Sequence, residues 1–432
     1  MDDVRLAAVK SLLKINRQGA YSNLEISRML SRASLKSADR GLYVTIVYGT
    51  LQNQMRLDWI IDQFAKKPRH VDHTTREILR VSLYQLIFLE RIPDFAVLDC
   101  ANRLASVLKP KAKGFVNAML RNVLRHPEKS DLSNLDDPDE VFRLTYSVPE
   151  DILKLYESVY GKTLGREILE KVNTVPTLSI RVNRLKTTRE ALADELENDG
   201  FRVKMGSASQ SALFISANGA AEEGIEQLKG FKEGYFTVQD EGAMLITEYL
   251  GANPGDRVLD MCAAPGGKTT HLAELMENKG EIIACDIYDN RLKLIRHTAK
   301  RLGHHIIHTQ KVDGTNPDFD KMGQFDRILI DAPCSGYGVI RRKPEIKYQS
   351  VNERALGLKD TQKTMLENGL SMLKNGGTLV YATCTVNPEE NENVVLETID
   401  QSRETLTVKE MAYTSPLIDD MDCFYMCRIQ KG

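Results

Sequence analysis

The first 130 residues carry the hydrophobic spacing of α-helices. In the segment TTREILRVSLYQLIFLE, apolar residues recur at steps of three and four and so share one face of a helix: Ile78, Leu79, Leu83, Leu86 and Ile87. Pro93 ends this helix, and the segments DWIIDQF, FAVLDCANRLASVLK and VNAMLRNVLR continue the same spacing. We therefore predict an all-α bundle over residues 1–130.

The spacing of apolar positions changes after an acidic segment at 129–140, which we predict to be a linker. Beyond it, LSIRVN and ALFIS alternate as β-strands do. The helix between them is predicted to begin with a capping box formed by Thr187 and Glu190 and to end at Gly200. Residues 141–235 are thus predicted to form a small α/β (RRM-like) domain.

Residues 236–432 alternate between short apolar strands and longer helical segments. That alternation predicts a doubly wound, Rossmann-like α/β domain, so the chain as a whole is predicted to be multidomain. Ligands of such sheets bind at the carboxyl ends of the strands. Polar and cysteine residues lie at these ends: Asp260, Cys262, Cys285, Asp286, Asp313, Asp331, Cys334, Thr383 and Cys384.

Composition is that of an ordinary globular protein, with 42% hydrophobic and 27% charged residues in a chain of 432. No apolar run reaches the roughly 18 residues that a membrane helix needs, and the amphipathic N-terminus does not resemble a signal peptide. We therefore expect a cytoplasmic protein with no membrane partner. Seven scattered cysteines indicate no disulfide framework, and neither they nor the histidines at 304–308 show metal-ligand spacing, so we expect no metal.

Charge is distributed unevenly along the chain, although the net formal charge is only −2. Residues 1–130 hold 22 Lys and Arg against 12 Asp and Glu, which leaves 36 against 48 in the remainder. A basic first domain is typical of a protein that holds a polyanion such as RNA. The candidate RNA contacts are Lys109, Lys111, Lys113, Arg121 and Arg125 in the helical region, and Arg341 and Arg342 in a later loop. A solvated basic surface is the alternative explanation for the same residues.

The segment VLDMCAAPGGKTTHL ends in Gly-Gly-Lys-Thr, which is also how a phosphate-binding P-loop ends. A P-loop needs a further glycine where this chain has Cys262. The side chain of Cys262, together with Ala263, Ala264 and Pro265, disfavours wrapping of the loop around a phosphate. The strand RILIDAP still resembles the magnesium-binding strand of nucleotide hydrolases, so that activity stays as an alternative.

A strand, a glycine turn and a helix also form the binding site of adenosine-containing cofactors. Such sites place an acidic residue about 20 positions after the glycines, where it holds the ribose hydroxyls, and Asp286 stands in that position relative to Gly266. The G-x-G-x-x-G pattern of a dinucleotide site is absent from the sequence. This combination favours S-adenosylmethionine, with Asp313 at the end of the next strand placed to accept a hydrogen bond from the adenine amine.

Two cysteines lie at strand ends over this site, in the segments DAPCSG (331–336) and ATCT (382–385). Methylation of C5 of a pyrimidine needs a thiolate, because addition of sulfur to C6 makes C5 nucleophilic enough to take a methyl group. The thiolate leaves after a base removes the hydrogen at C5. The adjacent Asp331 is suited to holding the ring nitrogens where charge develops, and the target base must be unpaired or flipped.

The motifs CAAPGGK, DAPCSG and ATCT followed by ENEN resemble those of the RNA cytosine-5 methyltransferases of the NOL1/NOP2/Sun type. The helical N-terminus resembles the NusB-type RNA-binding domain of the bacterial 16S rRNA methyltransferase B (Sun or Fmu) branch of that family. The resemblance implies that Cys384 is the nucleophile and that Cys334 assists product release. DNA cytosine methyltransferases use the Pro-Cys position as nucleophile, so the assignment depends on the resemblance.

The resemblance also implies a cofactor, its contacts and a substrate. The residues carried over as S-adenosylmethionine contacts are Cys262, Ala263, Ala264, Pro265, Gly266, Gly267, Lys268, Asp286, Asp313 and Asp331. The implied substrate is cytosine 967 of 16S rRNA, in naked RNA or in a small-subunit assembly intermediate, and we expect a monomeric protein. An RNA-docking factor that does not catalyse methylation stays as a further alternative.

Overall fold

The computed structural model describes residues 3–32, 37–217, 225–418 and 420–432. The chain forms two compact units. The first, called the helical unit, comprises Met1–Thr174 together with Ile340–Ser350. The second, called the α/β unit, comprises Val175–Val339 and Val351–Gly432. A short segment from the last third of the sequence therefore belongs to the helical unit.

The predicted all-α bundle is confirmed. Its helices are α1 (Asp3–Gln18), α2 (Ser22–Arg32), α3 (Ser37–Gln52), α4 (Gln54–Phe64), α5 (His73–Phe88), α6 (Asp94–Leu108), α7 (Lys113–Arg125), α8 (Pro138–Tyr146), α9 (Glu150–Tyr160) and α10 (Lys162–Val172). The predicted apolar face of α5 lies in the core, with Ile78, Leu79 and Leu83 fully buried. Within the described ranges, every helix is too short or too polar to span a bilayer.

The predicted linker over 129–140 does not separate the two units. It contains short 3-10 turns and then the start of α8, which packs against α4, while α9 and α10 pack against each other. The division falls instead between Thr174 and Val175. Low apolar content at 129–140 indicates an exposed surface turn, and such a turn need not mark a domain boundary.

The α/β unit begins with a small sheet whose strands are β1 (Leu178–Val182), β2 (Phe201–Met205), β3 (Ala212–Ala217) and β4 (Phe236–Val238). These strands pair antiparallel in the order β2-β3-β1-β4. The helix α11 (Arg189–Asn198) packs against β2 and β3, and the short helix α12 (Lys229–Lys232) packs against β4. The predicted strands at LSIRVN and ALFIS are confirmed. The predicted cap at Thr187 is wrong by one residue, because the Thr188 side chain accepts from the amide of Ala191.

The large sheet confirms the predicted Rossmann-like fold. Its strands are β5 (Arg257–Asp260), β6 (Glu281–Asp286), β7 (Ile307–Lys311), β8 (Phe325–Asp331), β9 (Leu373–Thr383), β10 (Leu406–Tyr413) and β11 (Tyr425–Lys431). The accompanying helices are α13 (Glu241–Leu250), α14 (Gly267–Leu275), α15 (Asp289–Leu302), α16 (Phe319–Met322), α17 (Val351–Ala355), α18 (Leu358–Met372) and α19 (Glu392–Gln401). The strand order is β10-β11-β9-β8-β5-β6-β7. Strands β5 to β9 are parallel, whereas β11 and β10 are antiparallel additions at one edge.

The segment Ile340–Ser350 is held in the helical unit by buried polar contacts. Lys347 is almost fully buried, and its ammonium donates to the carbonyl oxygen of Gln52 at 2.9 Å and to Oδ1 of Asn173 at 3.1 Å. Burial lowers the pKa of Lys347 to about 7. Its cationic form is therefore costly in the folded protein, because the buried ammonium has lost its hydration.

We predict a pH dependence of stability that comes from Lys347. Because its pKa is lower in the folded than in the unfolded protein, the unfolded chain binds more protons above pH 7 and stability rises with pH there. Between pH 7 and 9 the free energy of unfolding should increase by about 2 kcal/mol relative to a Lys347→Met variant. Urea unfolding of both proteins across this range measures the difference, and a constant difference would contradict the buried-cation account.

Candidate active site

The site lies where the order of the large sheet reverses. Strands β5 and β8 are parallel neighbours, while the chain continues from β5 towards one edge of the sheet and from β8 towards the other. Asp260 pairs in register with Leu329, and Asp331 pairs with Ala382 of β9. The loops after β5 and β8 therefore leave the same edge side by side, which is where doubly wound sheets bind ligands.

A glycine turn leads from β5 into α14. Gly266 has a φ of +106°, a left-handed conformation, and a Cβ atom on it would lie 3.2 Å from Cα of Ile295. A larger residue would therefore strain the backbone and push the turn off α15. Because α14 begins at Gly267, the free amide groups of its first turn face the carboxyl edge of the sheet.

Lys268, in the first turn of α14, pairs with Asp331 at the end of β8. The ammonium of Lys268 lies 2.7 Å from Oδ2 of Asp331 and 5.4 Å from the centre of the Phe424 ring. Burial disfavours the cation, but the Asp331 carboxylate outweighs this effect and raises the pKa of Lys268. The lysine of the glycine motif is thus protonated and forms an ion pair with the carboxylate of Asp331.

Asp260 is a buried acceptor under the glycine turn. Its Oδ2 accepts from Oγ1 of Thr269 at 2.7 Å, whereas Oδ1 has no hydrogen-bond partner among the described residues. Burial raises the pKa of Asp260 to about 7, and the nearby Asp331 carboxylate acts in the same direction. An unpaired acceptor at this depth favours a ligand or a proton beside it, since a buried polar atom without a partner is costly.

The two carboxylates predicted for the ribose and adenine stand at successive strand ends. Asp286 is nearly buried at the end of β6, where Oδ1 accepts from the amide of Tyr288 and Oδ2 lies 3.1 Å from Arg291. Asp313 follows β7 and is exposed. The Thr315 hydroxyl and amide donate to it and lower its pKa. Acceptors at adjacent strand ends fit the hydroxyl and amine donors of an adenosine group.

The structure brings Cys334 and Cys384 together. Their sulfur atoms are 3.2 Å apart, which is a hydrogen-bond distance for thiols and too long for a disulfide, and the amide of Cys384 donates to Sγ of Cys334 at 3.3 Å. The hydrogen bond with Cys384, and then burial, raise the pKa of Cys334 well above its usual value. Burial likewise raises the pKa of Cys262, so this third cysteine of the site stays a neutral thiol.

Glu390, for which the sequence suggested no role, supports the cysteine loops. It is fully buried in the ENEN motif after β9 and accepts from the amide of Ser335 at 2.8 Å, from Nδ2 of Asn387 at 3.0 Å and from Nε2 of Gln362 at 3.1 Å. Nε2 of Gln362 also donates to the carbonyl oxygen of Pro333. A buried carboxylate needs several donors around it. The only sign of this in the sequence was the motif of alternating Glu and Asn.

Gly338 fixes the backbone beside the nucleophile candidate. Its amide donates to the carbonyl oxygen of Cys384 at 2.9 Å, and its own carbonyl accepts from the amide of Cys423 at 3.0 Å. A Cβ atom at Gly338 would lie 1.8 Å from the Cys423 carbonyl oxygen, so no side chain fits. These contacts link the loop after β8 both to the loop after β9 and to the segment that precedes β11.

The predicted RNA contacts fall into two groups. Lys111, Lys113, Arg121 and Arg125 are exposed, and Lys109 is half-buried with its ammonium 3.5 Å from Asp72. Arg342 is half-buried and carries interactions of its own. The prediction for Arg341 is wrong. Its side chain is buried in the helical unit, where the guanidinium donates to the carbonyl and hydroxyl oxygens of Thr174 and has no access to a phosphate.

Arg121 and Arg125 border a groove of about 890 Å³ on the helical unit. Its lining combines aromatic and basic side chains, among them Phe64, Phe115, Lys66, Lys67 and His70. Phe115 is 41% exposed, which is unusual for such a large apolar side chain.

This fold, with a glycine turn and carboxylates at successive strand ends, defines an S-adenosylmethionine-dependent methyltransferase. The comparisons then identify the family. Residues 247–429 match the family model described as 16S rRNA methyltransferase RsmB/F, residues 2–125 match the NusB family, and residues 148–222 match the ferredoxin-like domain of RsmF/B-like methyltransferases. The chain belongs to the RsmB/F family of ribosomal RNA small subunit methyltransferases, which replaces the nucleotide hydrolase considered from the sequence.

Relatives support this membership over nearly the whole chain. The chain is 37% identical to the probable ribosomal RNA small subunit methyltransferase B of Bacillus subtilis, covering 91% of this chain and 87% of the relative. It is 34% identical to the ribosomal RNA small subunit methyltransferase B of Proteus mirabilis, covering 91% and 90%.

Solved structures show the same fold. The crystal structure of PH0851 covers 99% of both chains with a TM-score of 0.83 at 24% identity. A methyltransferase homologue from Pyrococcus horikoshii covers 68% of this chain and 100% of its own, with a TM-score of 0.60 at 27% identity.

We predict that Glu390→Gln disrupts the cysteine loops. The amide that replaces one carboxylate oxygen faces donors, so at least one buried donor loses its partner at a cost of about 1–3 kcal/mol. We expect a melting temperature lower by several degrees and a loss of methyl transfer to unmodified 16S rRNA of more than tenfold. Both are measured by thermal unfolding and by incorporation of labelled methyl groups.

Glu389→Gln is the matched control for this change. Glu389 precedes Glu390 but is mostly exposed, and it pairs with Lys359 at the surface. We expect its variant to behave as the wild type, because exposed ion pairs contribute little. Equal effects of the two substitutions would contradict the supporting role of Glu390.

Proposed function

We propose that this methyltransferase modifies carbon 5 of a cytosine in 16S rRNA through a covalent enzyme–RNA adduct. The observation that carries the proposal is the pair of sulfur atoms of Cys334 and Cys384, 3.2 Å apart at the carboxyl edge of the sheet. Methylation of a nitrogen or an oxygen needs no such pair, whereas C5 of a pyrimidine needs a thiolate. The resemblance stated above suggests cytosine 967 as the target.

Cys384 is the proposed nucleophile. Its thiolate adds to C6 of the cytosine ring, and the electron pair that moves to C5 attacks the methyl group of the donor. The bond from that methyl group to the donor sulfur breaks, and the sulfur keeps the electron pair. Negative charge on Cys384 and the cation of Lys268 favour each other, since the cysteine contributes to the raised pKa of the lysine. Cys334 keeps its proton in this state, because its neighbour raises its pKa.

Cys334 is proposed to assist release of the product. After methylation, the hydrogen at C5 leaves as a proton, the electron pair restores the C5–C6 double bond, and the bond from C6 to sulfur breaks to regenerate the Cys384 thiolate. Sγ of Cys334 lies beside the departing sulfur. It is therefore placed to take part in the proton transfer or to donate a hydrogen bond to the leaving thiolate.

S-adenosylmethionine, the methyl donor of this class, supplies an activated methyl group when it is bound at the site. The proposed contacts are the loop 262–268 and the carboxylates of Asp286, Asp313 and Asp331. Free amide groups at the start of α14 and the unpaired Oδ1 of Asp260 fit a ligand at this edge. Asp331 is further proposed to hold the cytosine ring nitrogens.

The groove on the helical unit is proposed to bind single-stranded RNA, which extends the predicted role of Arg121 and Arg125. Lys109, Lys111 and Lys113 do not line the groove and are kept as candidate contacts. Its basic residues suit phosphates, and the exposed ring of Phe115 suits stacking on an unpaired base. Arg342 is kept as a candidate contact. The cytoplasmic location, the monomeric state and the stage of subunit assembly at which RNA is accepted stay predictions.

We predict opposite outcomes for the two catalytic cysteines. In the presence of unmodified 16S rRNA and S-adenosylmethionine, Cys334→Ala should accumulate a protein–RNA adduct on a denaturing gel, because adduct formation is intact and release is slow. Cys384→Ala should form none and should yield no 5-methylcytosine.

Cys100→Ala serves as the control, since Cys100 is a buried cysteine of the helical unit. It should methylate as the wild type does, without a lasting adduct. An adduct that depends on Cys334 would reverse the two roles. Tight RNA binding by the wild type with neither adduct nor 5-methylcytosine would favour the docking factor instead.

We predict that Phe115→Ala weakens binding of single-stranded RNA by about 1–3 kcal/mol, because a stacked base loses its aromatic partner. Phe95→Ala is the control, since Phe95 is 74% exposed on the same unit but outside the groove.

Replacing Arg121 and Arg125 together with glutamine should reduce the dependence of affinity on salt. Fluorescence anisotropy at several salt concentrations measures both effects, and equal behaviour of the two phenylalanine variants would refute the groove.

A further inference from the structure

A buried arginine of the small sheet reaches the glycine turn of the methyl-donor site. Arg181 lies in β1 and has no exposed surface. Its Nη1 donates to the carbonyl oxygen of Gly267 at 2.6 Å and also to Oε1 of Gln239. The first residue of α14 is therefore held by a residue from the other sheet of the same unit.

A second connection runs through Thr270. Nη2 of Arg181 donates to the Thr270 hydroxyl at 3.0 Å, and this hydroxyl donates to the carbonyl oxygen of Gly266 at 2.8 Å. The guanidinium thus fixes both glycine carbonyls of the turn, one directly and one through a hydroxyl. A planar group with several donors in fixed directions is suited to this task, and lysine is not.

The charge of Arg181 is balanced by Glu274 of α14. Nε and Nη2 of Arg181 donate to the two carboxylate oxygens at 2.9 and 2.7 Å, and Nε2 of His304 lies 3.2 Å from the same carboxylate. Replacing a fully buried ion pair with apolar residues often leaves stability unchanged or improves it. Stability alone therefore gives little reason for an arginine at this position.

We propose that Arg181 is a positioning residue for S-adenosylmethionine. In a planar trans peptide, the carbonyl of Gly267 and the amide of Lys268 point in opposite directions. The hydrogen bond from Arg181 fixes the direction of the Gly267 carbonyl. The amide of Lys268 therefore points towards the carboxyl edge of the sheet, where the ligand binds. Through this contact, the small sheet sets the geometry of the methyl-donor loop before the ligand arrives.

The test separates positioning from stability. The double variant Arg181→Met/Glu274→Met removes both charges and keeps apolar volume, so the fold should persist while Gly267 loses its anchor. Thr270→Val removes the hydroxyl that donates to the carbonyl oxygens of Gly266 and Gly267, and it keeps the direct hydrogen bond from Arg181 to Gly267. Arg301→Met is the control, because Arg301 also ties the small sheet to the large one, through the carbonyl oxygens of Phe231 and Phe236, without touching the turn.

The measurement is the dissociation constant of S-adenosylhomocysteine by calorimetry, with thermal unfolding of each variant beside it. We expect the double variant to bind at least tenfold more weakly at a melting temperature close to that of the wild type, Thr270→Val to bind several-fold more weakly, and Arg301→Met to bind normally. If the double variant does not fold, the affinity of Thr270→Val for S-adenosylhomocysteine alone tests the proposal.

Wild-type affinity in the folded double variant, or an equal loss in Arg301→Met, would overturn the proposal. So would wild-type affinity of Thr270→Val where it decides alone. Because the readout is ligand affinity and not 5-methylcytosine, the result is independent of which cysteine is the nucleophile.

Discussion

The ion pair between Lys268 and Asp331 is the contact on which the rest of the site depends. The edge of the sheet at which β5 and β8 end collects several carboxylates, and Asp331 and Asp286 both act electrostatically on the buried Asp260. Lys268 supplies a cation among them at 2.7 Å from Asp331, and the pair joins the first turn of α14 to the end of β8, which leads into the loop that carries Cys334. The methyl donor and the target base need these two loops in a fixed relation, because methyl transfer demands alignment of the reacting atoms.

Buried polar groups hold that relation from two sides. Glu390 accepts hydrogen bonds from the segments around both cysteines. Arg181, in the small sheet, donates a hydrogen bond to the glycine turn. Apolar packing fixes distances only loosely, whereas hydrogen bonds to buried charges also fix direction. The site therefore stands on a sheet with an apolar core, but its loops are oriented by charged residues that never reach solvent.

The sequence predicted most of the helices and strands because these depend on local rules. Strand ends, the glycine turn and the two cysteine motifs are readable from order alone, and the structure places them at one edge. Three features could not be predicted from the sequence, because they depend on contacts between residues far apart in the chain. Arg341 has the sequence context of a surface loop, yet it is buried against Thr174. The unit boundary follows packing and not composition, and the contact of Arg181 with Gly267 joins residues 86 positions apart.

The proximity of the two cysteines gives the proposed reaction an order of events. Two sulfur atoms 3.2 Å apart do not both ionise readily, so the first proton lost from the pair makes the second harder to remove. While Cys384 is a thiolate, Cys334 stays protonated. Once the sulfur of Cys384 is bonded to C6 it is neutral, so its charge no longer raises the pKa of Cys334. Cys334 can then lose its proton to solvent more readily, and the resulting thiolate can accept the proton that leaves C5. In the proposed reaction, the short distance between the two sulfur atoms therefore keeps Cys334 protonated before the attack and lets it accept a proton afterwards.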